Sequence, residues 1–386
     1  MKPVAQPAAP PASIPAARPA VKLSGWSLNF YALPYRREIV WANAVEKQGT
    51  FALLVIEGEN GERGVAEGTI KATWSGVSPN SLKATFEDVI MPRLAGMDVS
   101  SPPSVAQALA GIPENKLAKG MADSAAWTLH AATAGTPLWR LWGGKQEVDV
   151  TWAITRQPPA AMAQEAAQMR ARYGFRTFKV KGGQGISTDL AALREIRAAV
   201  GDGVVLYVDA NSAYRRDEAP DYVAAIAAAG VTVAEDPCPL WPDVQFTALQ
   251  ATSPIPILVD RNCTSLLDAH GFLEKGGEGK VALSTKPGRI GLSEARAINE
   301  HGAARGAKVA IGLYAESALG TLISLQQAAA LPVTQMLVAA EQTFFLEMPD
   351  QVLGETPVIA QGSIALPGGA DLAALIDWGR VKRFTL

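Results

Sequence analysis

Three acidic residues, Asp209, Glu235 and Asp260, each close a short run of β-forming residues, in Leu-Tyr-Val-Asp-Ala-Asn, Val-Ala-Glu-Asp-Pro and Ile-Leu-Val-Asp-Arg-Asn. The gaps between them are 26 and 25 residues, the length one strand, one helix and two turns occupy. That interval puts three carboxylates at the same end of three successive βα units. One strand-end acid reads as a helix cap or a salt-bridge partner; three in register read as a divalent-metal site. Magnesium or manganese takes hard oxygen ligands, and carboxylates from neighbouring strands leave positions open for a substrate's oxygens. Asn211, two residues past Asp209 on the same face of the chain, is placed to orient a ligand or a metal-bound water.

The rest of the chain supports that spacing. Strand-like runs recur at 149–154, 177–180, 204–208, 231–234, 257–259, 280–283, 308–311 and 335–338. Helix-like runs separate them at 159–173, 187–200, 219–229, 244–250, 265–275, 292–305 and 317–331. Eight strands and seven intervening helices predict a modified TIM (β/α) barrel. Alternation alone also permits an open doubly wound sheet, but polar residues spread evenly over the strand ends favour closure. Upstream of Gly143-Gly144, strands (51–56 and from Val65) precede helices (81–95, 104–110, 116–134), the pattern of an α+β unit. The α/β fold expected is therefore a proline- and alanine-rich disordered tail (1–22), an α+β capping domain (23–145), the barrel (146–360) and a C-terminal segment (361–386) that returns to the cap.

Composition narrows the function class. Net charge is −2 and 19% of residues are charged, which gives no basis for capture of nucleic acid or an anionic membrane surface. No apolar run reaches transmembrane length and no secretory core opens the chain, so a cytoplasmic protein is expected. The two cysteines, Cys238 and Cys263, make neither a disulfide framework nor a zinc cluster and read as reduced thiols. The three histidines, His130, His270 and His301, stand away from the acidic strand ends. Acid–base chemistry at those ends therefore falls to lysine.

Lys179 and Lys181 are two apart in Thr-Phe-Lys-Val-Lys-Gly-Gly, one unit upstream of Asp209, and so point to one side of a strand. Burial beside a like charge is expected to push one of them down towards a pKa useful for a base, leaving the other charged to assist carboxylate binding. Lys286, 26 residues past Asp260, falls almost across the barrel from Lys181. Two lysines on opposite faces of one substrate form a pair able to take a proton on one side and deliver one on the other. No Walker motif, no helix-opening Gly-x-Gly-x-x-Gly and no Gly-x-Ser-x-Gly elbow is present.

The ordered set Lys179-Val-Lys181, Asp209, Glu235, Asp260 and Lys286 resembles the enolase superfamily, and within it the muconate lactonizing enzyme (muconate cycloisomerase) subgroup. The resemblance runs over residues 24–386 and includes Gly135-Thr-Pro-Leu-Trp-Arg-Leu-Trp-Gly-Gly144, the cap-to-barrel joint, and Ala315-Glu-Ser-Ala-Leu-Gly-Thr321, the loop after the seventh strand. It implies a metal-bound substrate carboxylate, Mg²⁺ or Mn²⁺, and transfer of the adjacent α-proton through an enediolate. It implies Lys181 as the proton carrier on one face, Lys179 as its electrostatic support and Lys286 as the partner on the other. Glu341 sits where muconate cycloisomerases carry a glutamate. The segment 33–48, with Tyr35, Arg37 and Trp41, and the turn near Trp74 would form the lid that reads the distal part of the substrate. A homo-oligomer acting on a small carboxylate is implied as well.

Two departures bear on specificity. Members of the subgroup carry an acid directly after the fifth-strand aspartate, whereas this chain has Arg261, placed either to lower the pKa of Lys286 or to grip a second substrate carboxylate. The segment Ala340-Glu-Gln-Thr-Phe-Phe-Leu lacks the paired aspartates that hold the amino group in dipeptide epimerases. Muconate-type cycloisomerisation is the leading expectation. Racemisation or epimerisation of an N-substituted amino acid or betaine, syn dehydration, and a binding barrel without catalysis are its alternatives.

Overall fold

Alternate side chains of the Phe-Ala-Leu-Leu-Val-Ile run face two different cores, and that division builds the cap. Phe51, Leu53 and Val55 join the core shared with the barrel, while Ala52, Leu54 and Ile56 pack with Phe86, Ile90, Leu117 and Leu129 in a core of the cap's own. The computed structural model describes residues 20–42, 44–276 and 281–386; residues 1–19, most of the expected tail, lie outside it, as does Lys280, where the sixth barrel strand was expected to begin. Val21 is already buried, and Lys22 bridges Asp98.

The cap sheet is antiparallel, with β1 (Leu23–Val40), β2 (Val45–Gly58) and β3 (Arg63–Thr69) in sequence order. The segment 33–48, expected to form the lid, is mostly the far end of the β1–β2 hairpin. The ladder slips between Pro34 and Ile39 and then resumes. Pro34 has no N–H to give, so the register shifts there without ending the strand. Helix Lys116–Ala134 lies against β3, and Gly135, in the left-handed region at φ 59°, ends it.

The barrel strands are β5 (Trp152–Ile154), β6 (Thr177–Lys181), β7 (Val205–Asp209), β8 (Ala234–Glu235), β9 (Ile257–Val259), β10 (Val281–Thr285) and β11 (Lys308–Ile311), all parallel and neighbours in sequence order. The first expected strand divides. Its start, in β4 (Glu147–Asp149), pairs antiparallel with Ser363–Ala365, and only β5 joins the barrel. The eighth does not form a strand. Residues 335–337 bond to Val309 on one side, while Ala340 bonds to Asp149 and Thr151 on the other. Different residues serve the two neighbours, so the ring closes through single bridges without a two-sided ladder.

Tyr207, Val233, Leu258, Ala282, Ala310 and Val338 fill the lumen, and the helices cover the outside. The seven expected helices form within two residues of their expected bounds; Pro159–Tyr173 matches at both ends. The end of the chain returns to the cap, where the Leu386 N–H donates to Phe30 O at 3.1 Å. Among the described residues, no helix is long and apolar enough to cross a membrane.

Candidate active site

Parallel register sets the floor of the site. Lys181 is level with Asp209 and Asp209 with Glu235, each the last residue of its strand, and Asp260 follows β9 directly. All three acids are essentially inaccessible to solvent. Lys179 Nζ lies 2.7 Å from Glu235 Oε1, 3.0 Å from Glu341 Oε2 and 3.1 Å from Asp209 Oδ2. Lys181 Nζ is 2.6 Å from Asp209 Oδ2, and Lys286 Nζ is 2.5 Å from Asp260 Oδ2. Lys181, on β6, and Lys286, just past β10, stand four strands apart and border the same cleft. Half of an eight-position ring separates them, so they approach from opposite sides.

The neighbours fix these groups. Asn211 donates its backbone N–H to Asp209 Oδ1 at 2.8 Å and its side-chain amide to Oδ2 at 3.1 Å, from a left-handed backbone at φ 51°. Glu341 accepts from Lys179, from the Tyr207 hydroxyl at 2.8 Å and from the Leu313 N–H at 3.1 Å. Gly312 matters through its missing side chain: a Cβ there would stand 2.5 Å from Ser284 Oγ and 2.9 Å from Lys286 Cε, so Lys286 keeps its path only beside glycine.

Charge sorts the acids into two kinds. Burial opposes ionisation of Asp209, but Lys181 and Lys179 outweigh it and hold the carboxyl far below the usual range. Burial likewise opposes ionisation of Asp260, and Lys286 and Arg289 overcome it. Glu235 goes the other way, raised by burial and then by Asp209. Asp236 is pushed up to about 7 by burial and by Asp260 and Asp209, and it accepts the N–H groups of Asp260 and Arg261. Of the two neighbouring lysines, Lys179 is one that the fold holds charged. Burial pulls it down, but Glu235, Glu341 and Asp209 hold it well above an ordinary lysine. Three carboxylates within hydrogen-bond reach outweigh one neighbouring ammonium.

Two oxygens test the fit of a cation. Glu235 Oε2 and Asp260 Oδ1 are buried without a hydrogen-bond partner, a costly state for carboxylate oxygens that a hard cation would relieve. Among the described residues no three acidic, histidine or cysteine side chains already ring one point; the lysine ammonium groups lie between the acids. The donor set suits Mg²⁺ or Mn²⁺ in chemistry.

The roof comes from the cap. Trp41, Lys71 and Trp74 face Lys181, Lys286, Leu313, Tyr314 and Ala315 across the cleft. Of the expected lid residues, Trp41 and Trp74 line it and Tyr35 and Arg37 do not. Tyr35 packs edge-on against Phe344, and Arg37 is tied to Thr155, Glu165 and Glu347. Arg261 is exposed at the rim, 6.0 Å from the centre of the Trp74 ring. The cation beside Asp260 and Lys286 is Arg289, whose guanidinium bonds the carbonyls of Asp260 and Cys263. Sequence reasoning missed Arg289, Asp236 and Lys71. Arg289 lies three residues past Lys286, Asp236 adjoins Glu235 and Lys71 lies three residues before Trp74, so proximity was the available signal. Cys238 and Cys263 are both buried and free.

Two family models match the chain, one described as enolase C-terminal domain-like over residues 161–377, the other as the mandelate racemase/muconate lactonizing enzyme N-terminal domain over residues 31–143. An o-succinylbenzoate synthase from Geobacillus stearothermophilus is 29% identical over 322 residues, which covers 83% of this chain and 81% of that one. Muconate cycloisomerase 1 from Rhodococcus opacus is 27% identical over 340 residues, covering 86% and 90%. An N-succinylamino acid racemase from Thermus thermophilus is 25% identical over 381 residues, covering 95% and 98%. The solved structure of a muconate lactonizing enzyme from Mucobacterium smegmatis complexed with muconolactone superposes with a TM-score of 0.89 at 23% identity, over 95% of this chain and 100% of that one, and so shares the fold.

Proposed function

Given that the chain belongs to the mandelate racemase/muconate lactonizing enzyme family of the enolase superfamily, we propose that it is an isomerase or lyase that moves the proton α to a substrate carboxylate. The observation that carries this reading is the pair Lys181 and Lys286, on opposite sides of one cleft above three buried acids. Asp209, Glu235 and Asp260 would hold a divalent cation, Mg²⁺ or Mn²⁺, which when bound supplies Lewis acidity at the substrate carboxylate.

The protein's own groups do the remaining work. Lys181 Nζ takes or returns the α-proton from one face, and Lys286 Nζ serves the other face or stabilises negative charge there. Lys179, held charged by Asp209, Glu235 and Glu341, keeps one positive charge among the floor acids without exchanging protons. Asn211 fixes the orientation of Asp209, and Glu341 with Tyr207 fixes Lys179. Trp41 and Trp74 exclude water from above.

Within that class we favour muconate-type cycloisomerisation, supported by the relatives bearing that name. Racemisation of an N-substituted amino acid is the second reading, supported by the racemase among the relatives, and syn dehydration the third. We place the enzyme in the cytoplasm, a setting compatible with two unpaired buried thiols. The test is α-proton exchange in deuterated, magnesium-containing buffer, followed by NMR over a set of carboxylates that includes cis,cis-muconate and N-succinylamino acids. Lys181→Ala is expected to slow exchange by about 10²- to 10⁴-fold with metal binding retained. Exchange confined to chiral amino-acid derivatives would replace the cycloisomerase reading by the racemase one, and no exchange with any carboxylate would end the proton-transfer reading.

A further inference from the structure

Two histidines, His270 and His301, meet on the outer wall of the barrel. His270 lies on the helix Leu266–Lys275 and His301 on the helix Leu292–Ala303, which pack against each other. His270 Nδ1 and His301 Nε2 stand 3.3 Å apart. Arg305, just past the second helix, reaches both: its Nη1 is 3.1 Å from His270 Nδ1 and 2.5 Å from His301 Nε2. Its Nη2 is 3.2 Å from Glu274 Oε1. Glu274 is one turn on from His270 and so shares its face of the helix.

The guanidinium decides the state of the rings. Arginine has N–H donors and no acceptor, so both ring nitrogens turn lone pairs toward it and are not bonded to each other. Burial, then Arg305 and His270, hold the pKa of His301 below that of an ordinary histidine, in keeping with a neutral ring. Two lone pairs and a carboxylate thus gather around one guanidinium. Arg305 stands where a positive ion would serve the same three groups.

The spacing says which ion. Zinc binds histidine nitrogen at about 2.0–2.1 Å, and a tetrahedral angle between two such bonds sets the nitrogens about 3.3–3.4 Å apart. Right-angled bonds of that length, as in square-planar or octahedral sites, need a separation of about 2.9 Å. Two imidazoles and a carboxylate also suit zinc better than magnesium, which takes oxygen ligands.

We propose that His270, His301 and Glu274 form a zinc site on the barrel wall, separate from the floor acids, which Zn²⁺ enters by displacing the Arg305 guanidinium. Glu274, released from Arg305, turns to the ion, and water takes the fourth position. The ion ties together the helices that precede and follow β10, the strand leading to Lys286, so its role is structural.

The test is a calorimetric zinc titration of the full chain in excess magnesium. Wild type is expected to show a binding event that His301→Ala weakens by at least about 100-fold, since losing a ligand costs no less than losing the support of one. Arg305→Ala is expected to tighten the same event about 10-fold, because the competing cation is gone. Co²⁺ in place of zinc reads the geometry. Wild type and Arg305→Ala should give the strong visible absorption of a tetrahedral site, and His301→Ala only the weak absorption of six-coordinate oxygen sites. Circular dichroism checks that both variants are folded. Zinc affinity unchanged in His301→Ala, or no tighter in Arg305→Ala, would overturn the proposal. A six-coordinate cobalt spectrum in the wild type would do so too, since it assigns the binding to the floor acids alone.

Discussion

Glu67 is the polar clamp between cap and barrel, and removing it tests how the cleft is held shut. It sits on β3 with 5% of its surface exposed. It accepts the Tyr31 hydroxyl at 2.6 Å, the Ser317 N–H at 2.8 Å and the Ser317 hydroxyl. Ser317 caps the helix Ala318–Ala330, two residues after Ala315, which lines the cleft. Glu67→Ala leaves a buried phenol and a buried backbone N–H without their acceptor, at about 1–3 kcal/mol each. Two effects offset part of this. Burial raises the pKa of Glu67, so the carboxylate is itself unfavourably placed, and the Tyr31 hydroxyl retains Ser317 Oγ at 3.4 Å. A net loss of about 3 kcal/mol is expected, a large share of the roughly 5–15 kcal/mol typical of a folded domain. Glu67→Gln keeps one accepting oxygen and should lose about half as much. Urea unfolding measures the loss, with an unchanged slope showing that the folded state is intact. Because the clamp seats the roof, KM should rise in Glu67→Ala more than kcat falls. A variant within about 0.5 kcal/mol of wild type, with KM unmoved, would refute the idea that this contact holds cap to barrel.

Two other predictions test the electrostatics. Lys179→Met strips Asp209, Glu235 and Glu341 of their shared cation, and loss of one partner from a buried charge cluster costs about 3–5 kcal/mol. In EDTA its melting temperature should fall well below wild type, and magnesium should restore more of the loss than it adds to wild type; equal responses to magnesium would argue against a cation at these acids. Asp123, buried and bonded to Ser293, has its pKa pushed up to about 6, first by burial. Its folded pKa exceeds the unfolded one, so its contribution to stability is complete below about pH 4 and is lost as pH rises through about 6. Stability curves of wild type and Asp123→Asn should therefore diverge by roughly 3 kcal/mol over that window, with wild type declining more steeply as pH rises; parallel curves would contradict it.

Sequence alone determined the barrel, its strand ends and the acids upon them, because βα units repeat at a fixed length and a parallel register levels residues at that interval. Asp209, Glu235 and Asp260 were legible for that reason, as were Lys179, Lys181 and Lys286. The hairpin at 33–48 and the missing eighth ladder were not, since whether Pro34 ends a strand or shifts it depends on its partner. Charge was also decided in three dimensions. Spacing alone left open which of Lys179 and Lys181 stays charged; folding brings Glu341 from the far end of the barrel to join Asp209 and Glu235 around Lys179 and holds it well above an ordinary lysine. Lys71 shows the same limit: its nearness to Trp74 marks no more than a lid segment, and only the seating of the cap on the barrel carries its ammonium to the cleft. Periodicity fixes what lies within one element or one repeat. Contacts between the two domains are set by packing, which no local pattern encodes.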